Sequence, residues 1–352
     1  MCIITKNESE KLKRCIKDLV KYPFQIVIVD TGSTDDTRNM LSKLQKKHQQ
    51  IKMEYFDWID DFAAARNYAI SKAQCEMILT LDSDEYIDAM NLPKLLDLLH
   101  NQDAQVGRIR LRNKVIHGGQ TLWNDEWVNR IFPKSEYHYE GTIHEQLVRF
   151  DGKDYKTYEA PVQICHDGYV GTEEQRQQKA YRNIRLLEQE ICRTGEDPYL
   201  LYQIGKGYYM AGEYTKAVDF FAKGLSFDLN PRLEYVIDMV ETYGYALLHA
   251  GQARTALQFE NICDEFGTTA DFHILMGFIY MNNEFFDKAI DEFIRATGCK
   301  RSRMEGANTY IAYYNAGVVK ECLGHIREAL QFYQQCGNYA PALQRTRELE
   351  NK

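Results

Sequence analysis

Apolar positions recur with two different periods along this chain, and the change of period divides it. Up to about residue 115, short apolar runs alternate with stretches whose apolar residues return every three or four positions. Residues 2–5 (CIIT), 25–30 (QIVIVD), 51–56 (IKMEYF) and 76–82 (EMILTLD) read as four buried strands, because a continuous apolar run of that length suits a strand covered on both faces. The stripe Leu12, Cys15, Ile16, Leu19, Val20 marks a helix lying on that sheet. Ser33, with Asp36 three residues on, reads as the N-cap of a second helix through Met40, Leu41 and Leu44. Residues 60–73 (DDFAAARNYAISKA) read as a third helix. Strand and helix in alternation predict an α/β fold with a mostly parallel sheet and ligands beyond the strands' carboxyl ends. Those ends are residues 5–7, 30–33, 57–61 and 82–85, and three of the four are acidic.

From about residue 196 the pattern is helical throughout. Gly205 and Ala217 are twelve apart, as are Gly244 and Ala256, Gly277 and Ala289, and Gly317 and Ala329. Small residues at fixed spacing let helices cross closely, and the pattern resembles the tetratricopeptide repeat, a unit of ~34 residues. The predicted organisation is an α/β domain over 1–170, a connecting charged helix over 171–195 that docks one half on the other, and an all-α repeat domain over 196–352. Arrays of this kind present concave binding surfaces or pair two chains, so a homodimer through the repeats is an expectation. Tyr199, Tyr202, Tyr208, Tyr209, Tyr313 and Tyr314 suit gripping a peptide, although aromatics at helical spacing are usually core.

Composition narrows the function. A formal charge of −8 argues against a general nucleic-acid binder. The longest apolar runs are strand-length, short of the ~20 residues of a membrane span, so no transmembrane segment is predicted. Lys6, Lys11, Lys13 and Arg14 interrupt any apolar leader near the start. Nine scattered cysteines without a CxxC pair suit reduced thiols and a cytoplasmic location.

One stretch concentrates charge. In MILTLDSDEYID, residues 77–88, Asp82, Asp84, Glu85 and Asp88 fall within seven residues. If the strand stays extended, Asp82 and Asp84 face the same side. Two charges ~6 Å apart repel by roughly 3 kcal/mol at an effective dielectric near 20. A metal ion, a basic neighbour or solvent must compensate.

IITKNES, IVIVDTGSTDDT, FDWIDDFAAARNYAI and LTLDSDE resemble, in order, the successive motifs of the family 2 glycosyltransferases of GT-A fold. RIFP, GTIHEQL and ICHDGY resemble later motifs of a bacterial subgroup with carboxyl-terminal tetratricopeptide repeats. The resemblance covers nearly the whole chain and implies a Rossmann-like GT-A domain that uses Mg²⁺ or Mn²⁺. It implies Asp84 as metal ligand, with Asp82 nearer the ribose or a metal-bound water, and His166 as a second ligand or a structural residue. Asp30 would accept from the uracil or ribose, with Thr5 and Glu8 beside them. Arg130 would contact the diphosphate. Arg66 is a donor contact or a clamp on an acidic loop, and equally a partner for Asp60 or Asp61. An inverting transfer needs a carboxylate to take the acceptor's proton; Glu145 is the expected base, with His144 beside it, and Asp125 and His144 are its rivals. The implied donor is a UDP-sugar, UDP-glucose foremost. The implied acceptor is a peptide or protein side chain (Cys or Ser of a bacteriocin-type precursor). A glycan or lipid-linked acceptor is the alternative, and an inert repeat-based binding protein is the third reading.

Overall fold

The first four strands lie where the apolar runs put them, the last three shorter by one residue at one end: β1 (Cys2–Thr5), β2 (Ile26–Asp30), β3 (Ile51–Tyr55) and β4 (Met77–Asp82). A computed structural model describes residues 1–101, 105–117, 120–166 and 173–350. Strand β1 pairs in parallel with β2 and with β4, and β2 pairs in parallel with β3. Alternate residues of these strands feed two cores. Ile3, Ile26, Ile28 and Leu81 pack with Leu12, Cys15, Ile16 and Leu19 of α1 (Ser9–Leu19) on one face. On the other, Cys2, Ile4, Val27, Val29 and Ile78 pack with Ala63, Ala65, Ala69 and Ile70 of α3 (Phe62–Ser71). Each fully buried Ile or Leu contributes roughly 1.5–3 kcal/mol, so this two-sided burial fixes the register.

The second helix starts later than its sequence signal. Helix α2 is Thr37–Lys47, so Ser33 does not cap it. The Ser33 hydroxyl instead accepts from the Asn7 N–H at 2.8 Å, and its own N–H donates to Asp30. A competing side-chain bond across the sheet has taken the capping group away.

Beyond β4 the sheet is mixed, with three antiparallel pairings and one parallel. The remaining elements are β5 (Glu85–Met90), α4 (Leu92–Asn101), β6 (Val106–His117), β7 (Gln120–Pro133) and β10 (Thr157–His166), and the eight strands run β3-β2-β1-β4-β7-β6-β10-β5. A small hairpin, β8 (Tyr137–Glu140) with β9 (Gln146–Arg149), carries the GTIHE turn at its tip. The chain divides into two compact units, Met1–Glu173 and Glu174–Lys352. The 170/171 boundary of the sequence reading lies outside the described residues.

The second unit is a run of helices. The charged helix α5 (Glu173–Thr194) packs on α6 (Pro198–Met210), where a β-carbon on Gly207 would come within 2.7 Å of Ile184. Helix α6 pairs with α7 (Tyr214–Leu225), and a β-carbon at Gly205 would lie 2.6 Å from the Phe221 ring. The glycines of α11 (Ala270–Asn282) and α13 (Tyr310–Cys322) meet Phe293 of α12 (Phe286–Thr297) and Tyr333 of α14 (Ile326–Gln335) in the same way. In each case the ring stands sixteen residues after the glycine. The second hairpin lacks that ring, because Glu260 occupies the position. There Gly244 of α8 (Glu234–His249) packs on Leu275 of α11 instead, and the returning segment breaks into α9 (Ala253–Ala256), a 3₁₀ turn over Leu257–Ile262 and α10 (Cys263–Phe266). Helix α15 (Ala340–Glu350) closes the array. Of the six tyrosines, Tyr202 is buried and the other five are half-buried.

Candidate active site

The parallel strands end at one rim. Thr5 is level with Asp30, and Ile4 with Asp82. Their loops are stitched together by side chains. Asn7, in a left-handed backbone conformation, accepts from the Thr34 N–H at 2.7 Å through its side-chain oxygen. Glu8 accepts from the Ser83 hydroxyl and from Lys11, the latter at 2.9 Å. Asp30 is fully buried and accepts from the Ser33 N–H and from Arg38 Nε at 2.6 Å. Thr5 is buried, its carbonyl accepts from Thr31, and its hydroxyl has no partner among the described residues.

The acid-rich stretch does not stay extended. Strand β4 stops at Asp82, residues 83–84 turn, and β5 departs to the far edge of the sheet. Asp82 and Asp84 therefore take different partners. Asp82 lies between two arginines, receiving Arg66 Nη2 at 2.6 Å and Arg130 Nη2 at 3.1 Å. Arg130 also donates to Glu85 Oε1 at 2.9 Å, and Glu85 accepts from the Asp82 N–H. Desolvation alone would raise the Asp82 pKa, but the two guanidinium charges outweigh it and hold the carboxyl well below its usual range. Glu85 is pushed the other way, by burial and then by the Asp82 charge. Basic neighbours thus compensate Asp82. Arg66 pairs with neither Asp60 nor Asp61: Asp61 caps α3 by accepting from the Ala64 N–H at 2.8 Å, and Asp60 accepts from Trp58.

The other nitrogen edge of Arg66 reaches Glu145. Its Nε donates to Glu145 Oε1, so one guanidinium spans the strand-end acid and the acid on the β8–β9 tip. Gly141 (φ 97°) and His144 (φ 50°) shape that tip, and the His144 carbonyl accepts from the Gln146 amide at 2.9 Å. Asp125 lies elsewhere: it pairs with Arg110 and Arg112 on the outward face of the β6–β7 hairpin.

Asp84 meets His166. The imidazole Nε2 is 3.3 Å from Asp84 Oδ2, its Nδ1 is 2.9 Å from Asn113 Oδ1, and Lys11 Nζ is 3.9 Å from the same Asp84 oxygen. Burial lowers the His166 pKa, but the Asp84 hydrogen bond and the charges of Asp84, Glu85 and Asp82 raise it above its ordinary value. No three His, Cys, Asp or Glu side chains among the described residues converge as a ready metal cage. A cation shared with a nucleotide does not need one: Mg²⁺ usually takes one or two carboxylates and fills its shell with phosphate oxygens and water. One carboxylate and one imidazole fit that donor set, with the nitrogen favouring Mn²⁺. The rest of the His166 motif, residues 167–169, lies outside the described residues.

The structure thus joins Asp82, Arg66, Arg130 and Glu145 in one bonded cluster and sets Asp84, His166 and Glu8 beside it through Ser83 and Lys11. Sequence reading missed Arg38, Glu85 as an Arg130 partner, and Asn113. Glu85 stood within the acidic stretch, but Asn113 is one polar residue in a long strand and carried no signal.

Residues 1–158 match the family model described as Glycosyl transferase family 2. The chain is 24% identical over 234 residues to the SPbeta prophage-derived glycosyltransferase SunS of Bacillus subtilis (strain 168), covering 64% of this chain and 52% of that protein. It is 27% identical over 234 residues to a TPR repeat-containing protein of Synechococcus elongatus, covering 64% of this chain and 56% of that one. The chain spans about half the length of these two relatives. It is 32% identical over 123 residues to the lipopolysaccharide core biosynthesis glycosyltransferase LpsC of Rhizobium meliloti, covering 35% of this chain and 45% of that one. Among solved structures, YrrB, described as a TPR protein with an unusual peptide-binding site, covers 48% of this chain and 84% of its own at 19% identity and a TM-score of 0.40. No helix among the described residues is long and apolar enough to cross a membrane. The parallel strands and the cluster of Asp82, Arg66, Arg130 and Glu145 all fall within residues 1–158, the part of this chain that matches Glycosyl transferase family 2.

Proposed function

We propose that this protein transfers a hexose from a UDP-sugar, UDP-glucose foremost, to a peptide or protein side chain, with inversion at the sugar carbon. The observation that carries the reading is the pairing of Asp84 with His166 at the rim where Asp82 and Glu145 share Arg66. Asp84 and His166 would hold Mg²⁺ or Mn²⁺, which when bound neutralises the donor's phosphates and stabilises charge on the leaving diphosphate. Arg130 holds Asp82 and Glu85 in place, and Asp30 and Glu8 edge the space for the nucleoside. Glu145 takes the proton from the acceptor atom, a Cys thiol or Ser hydroxyl, as that atom attacks the sugar carbon and the carbon–oxygen bond to the diphosphate breaks. In the resting arrangement Arg66 orients the Glu145 carboxylate.

The experiment is to incubate the full chain with UDP-glucose, Mn²⁺ and a panel of Cys- and Ser-containing peptides and to read masses. A gain of one hexose on a peptide supports the reading. UDP release with saccharide acceptors but none of the peptides favours the second reading, transfer to a glycan or lipid-linked sugar, toward which the similarity to LpsC points. Neither outcome, with no metal-dependent UDP binding, would leave an inert binding protein.

A further inference from the structure

Two of the three tryptophans in this chain stand on the outward face of one strand. Trp123 and Trp127 are four residues apart on β7 and share a face. Leu122 and Val128, of opposite parity, turn toward the core. Trp127 is 37% exposed, an unusual position for the largest apolar side chain. It is not isolated: the strand registers set Ala89, Gln163, Arg110 and Trp127 side by side on β5, β10, β6 and β7. Three inter-strand gaps make that row about 14 Å long. A shallow, open groove of about 710 Å³ lies along it, with Pro93 and Pro161 among its walls.

The chemistry of the floor selects the occupant. Arg110 donates to Asp125 and to Gln163 Oε1 at 3.4 Å, Asp125 also holds Arg112 Nε at 3.0 Å, and Gln163 Nε2 donates to Asp88 Oδ2 at 2.6 Å. The charges are therefore compensated within the floor, and an ionic ligand would have to break those pairs. A purely apolar ligand would cover the guanidinium and amide without satisfying their remaining hydrogen-bonding capacity. A neutral saccharide meets both conditions. Its hydroxyls match the Arg110 guanidinium and the Gln163 amide, each held in place by its own ion pair or hydrogen bond, and its C–H face matches the electron-rich face of an indole. Arg112, stacked over Trp123 at 5.0 Å, extends the same surface.

We propose that this groove on the outer face of the sheet, floored by Gln163 and Arg110 and walled by Trp127, is a binding site for a neutral oligosaccharide. It stands apart from the strand-end cluster, for Arg110 and Arg112 alternate with Asn113, whose side chain turns to His166. It therefore does not rest on the donor chemistry.

The test is calorimetric titration of the full chain with maltotetraose, cellotetraose and chitotetraose, and of its Trp127→Ala and Gln163→Ala variants, each first checked for an unchanged melting profile. At least one saccharide should bind saturably, Trp127→Ala should weaken it by about tenfold or more, and Gln163→Ala by less. UDP binding with Mn²⁺ should be unaltered in both variants, so loss of the donor reading would leave this result intact. The proposal is overturned if none of the three saccharides binds saturably up to ~20 mM. It is equally overturned if both variants bind as the parent does, or if an acidic peptide such as polyglutamate takes the groove in their place.

Discussion

Arg66 and Glu145 stand 79 residues apart in the chain and form one ion pair, with only 9% and 10% of their side chains exposed. The same guanidinium holds Asp82. An arginine is suited to this because its planar fork serves two carboxylates in fixed geometry, which an ammonium cannot do. The end of β4 and the β8–β9 tip are thereby tied together through one side chain.

Removing that tie leaves the Glu145 carboxylate without its arginine and Asp82 with Arg130 alone. Arg66→Met should lower stability by about 3 kcal/mol, the cost of leaving a buried charge without its partner, and Arg66→Lys should recover only part of it. Urea denaturation of the three proteins checks the order; equal stability of the Met variant and the parent would mean that the pair is not formed in solution.

Glu145→Gln keeps shape and hydrogen bonding but removes the proton acceptor. Sugar transfer should fall by at least about a hundredfold, the usual contribution of a general base, while UDP binding measured by calorimetry stays within error. A variant that transfers at the parent rate would move the base elsewhere.

In the helical unit, Gly205→Ala forces a methyl into the Phe221 ring. Overpacking of this kind costs about 1–3 kcal/mol, so a lowered melting temperature is expected. Gly212, with open space around its α-carbon, is the control site for backbone effects alone, since its left-handed φ of 79° strains any replacement.

A buried carboxyl gives the helical unit a pH signature. Glu241 of α8 is faced by Arg303, Asp238 and Asp271, with the Thr269 hydroxyl 3.4 Å away. Burial, and then the charges of Asp271 and Asp238 against that of Arg303, push it up to about 7 from 4.5. Between those two pH values the folded state holds a proton that the unfolded state has lost. Stability therefore falls as pH rises through this window, by roughly 3 kcal/mol for a shift of this size. Glu241→Gln should flatten that slope, as read from denaturation midpoints at pH 4.5, 5.5 and 7; an unchanged slope would assign the effect to other groups.

Much of this was legible in the sequence for identifiable reasons. Continuous apolar runs such as IVIVD have one stable home, a strand covered on both faces, and the Gly/Ala spacing has one steric use. The break after Ala256 was also readable in retrospect, because Glu260 stands where the other hairpins carry a ring. What could not be read were partnerships across long separations. That Ser33 serves Asn7, that Asp82 sits between Arg66 and Arg130, and that Asp125 faces away from Glu145 all depend on strand order, which local pattern does not encode. Two acids two apart suggested a shared face, but the turn at residues 83–84 gave them separate partners.

The central claim is that a divalent cation at Asp84 and His166 carries a nucleotide's diphosphate. Calorimetric titration of UDP into the full chain, with Mn²⁺ and again with excess EDTA, tests it most directly. Binding should require the metal, and Asp84→Ala should weaken it by at least the roughly tenfold that even an outer partner of a metal costs. UDP binding of equal strength in EDTA, or in the Asp84→Ala variant, would contradict it.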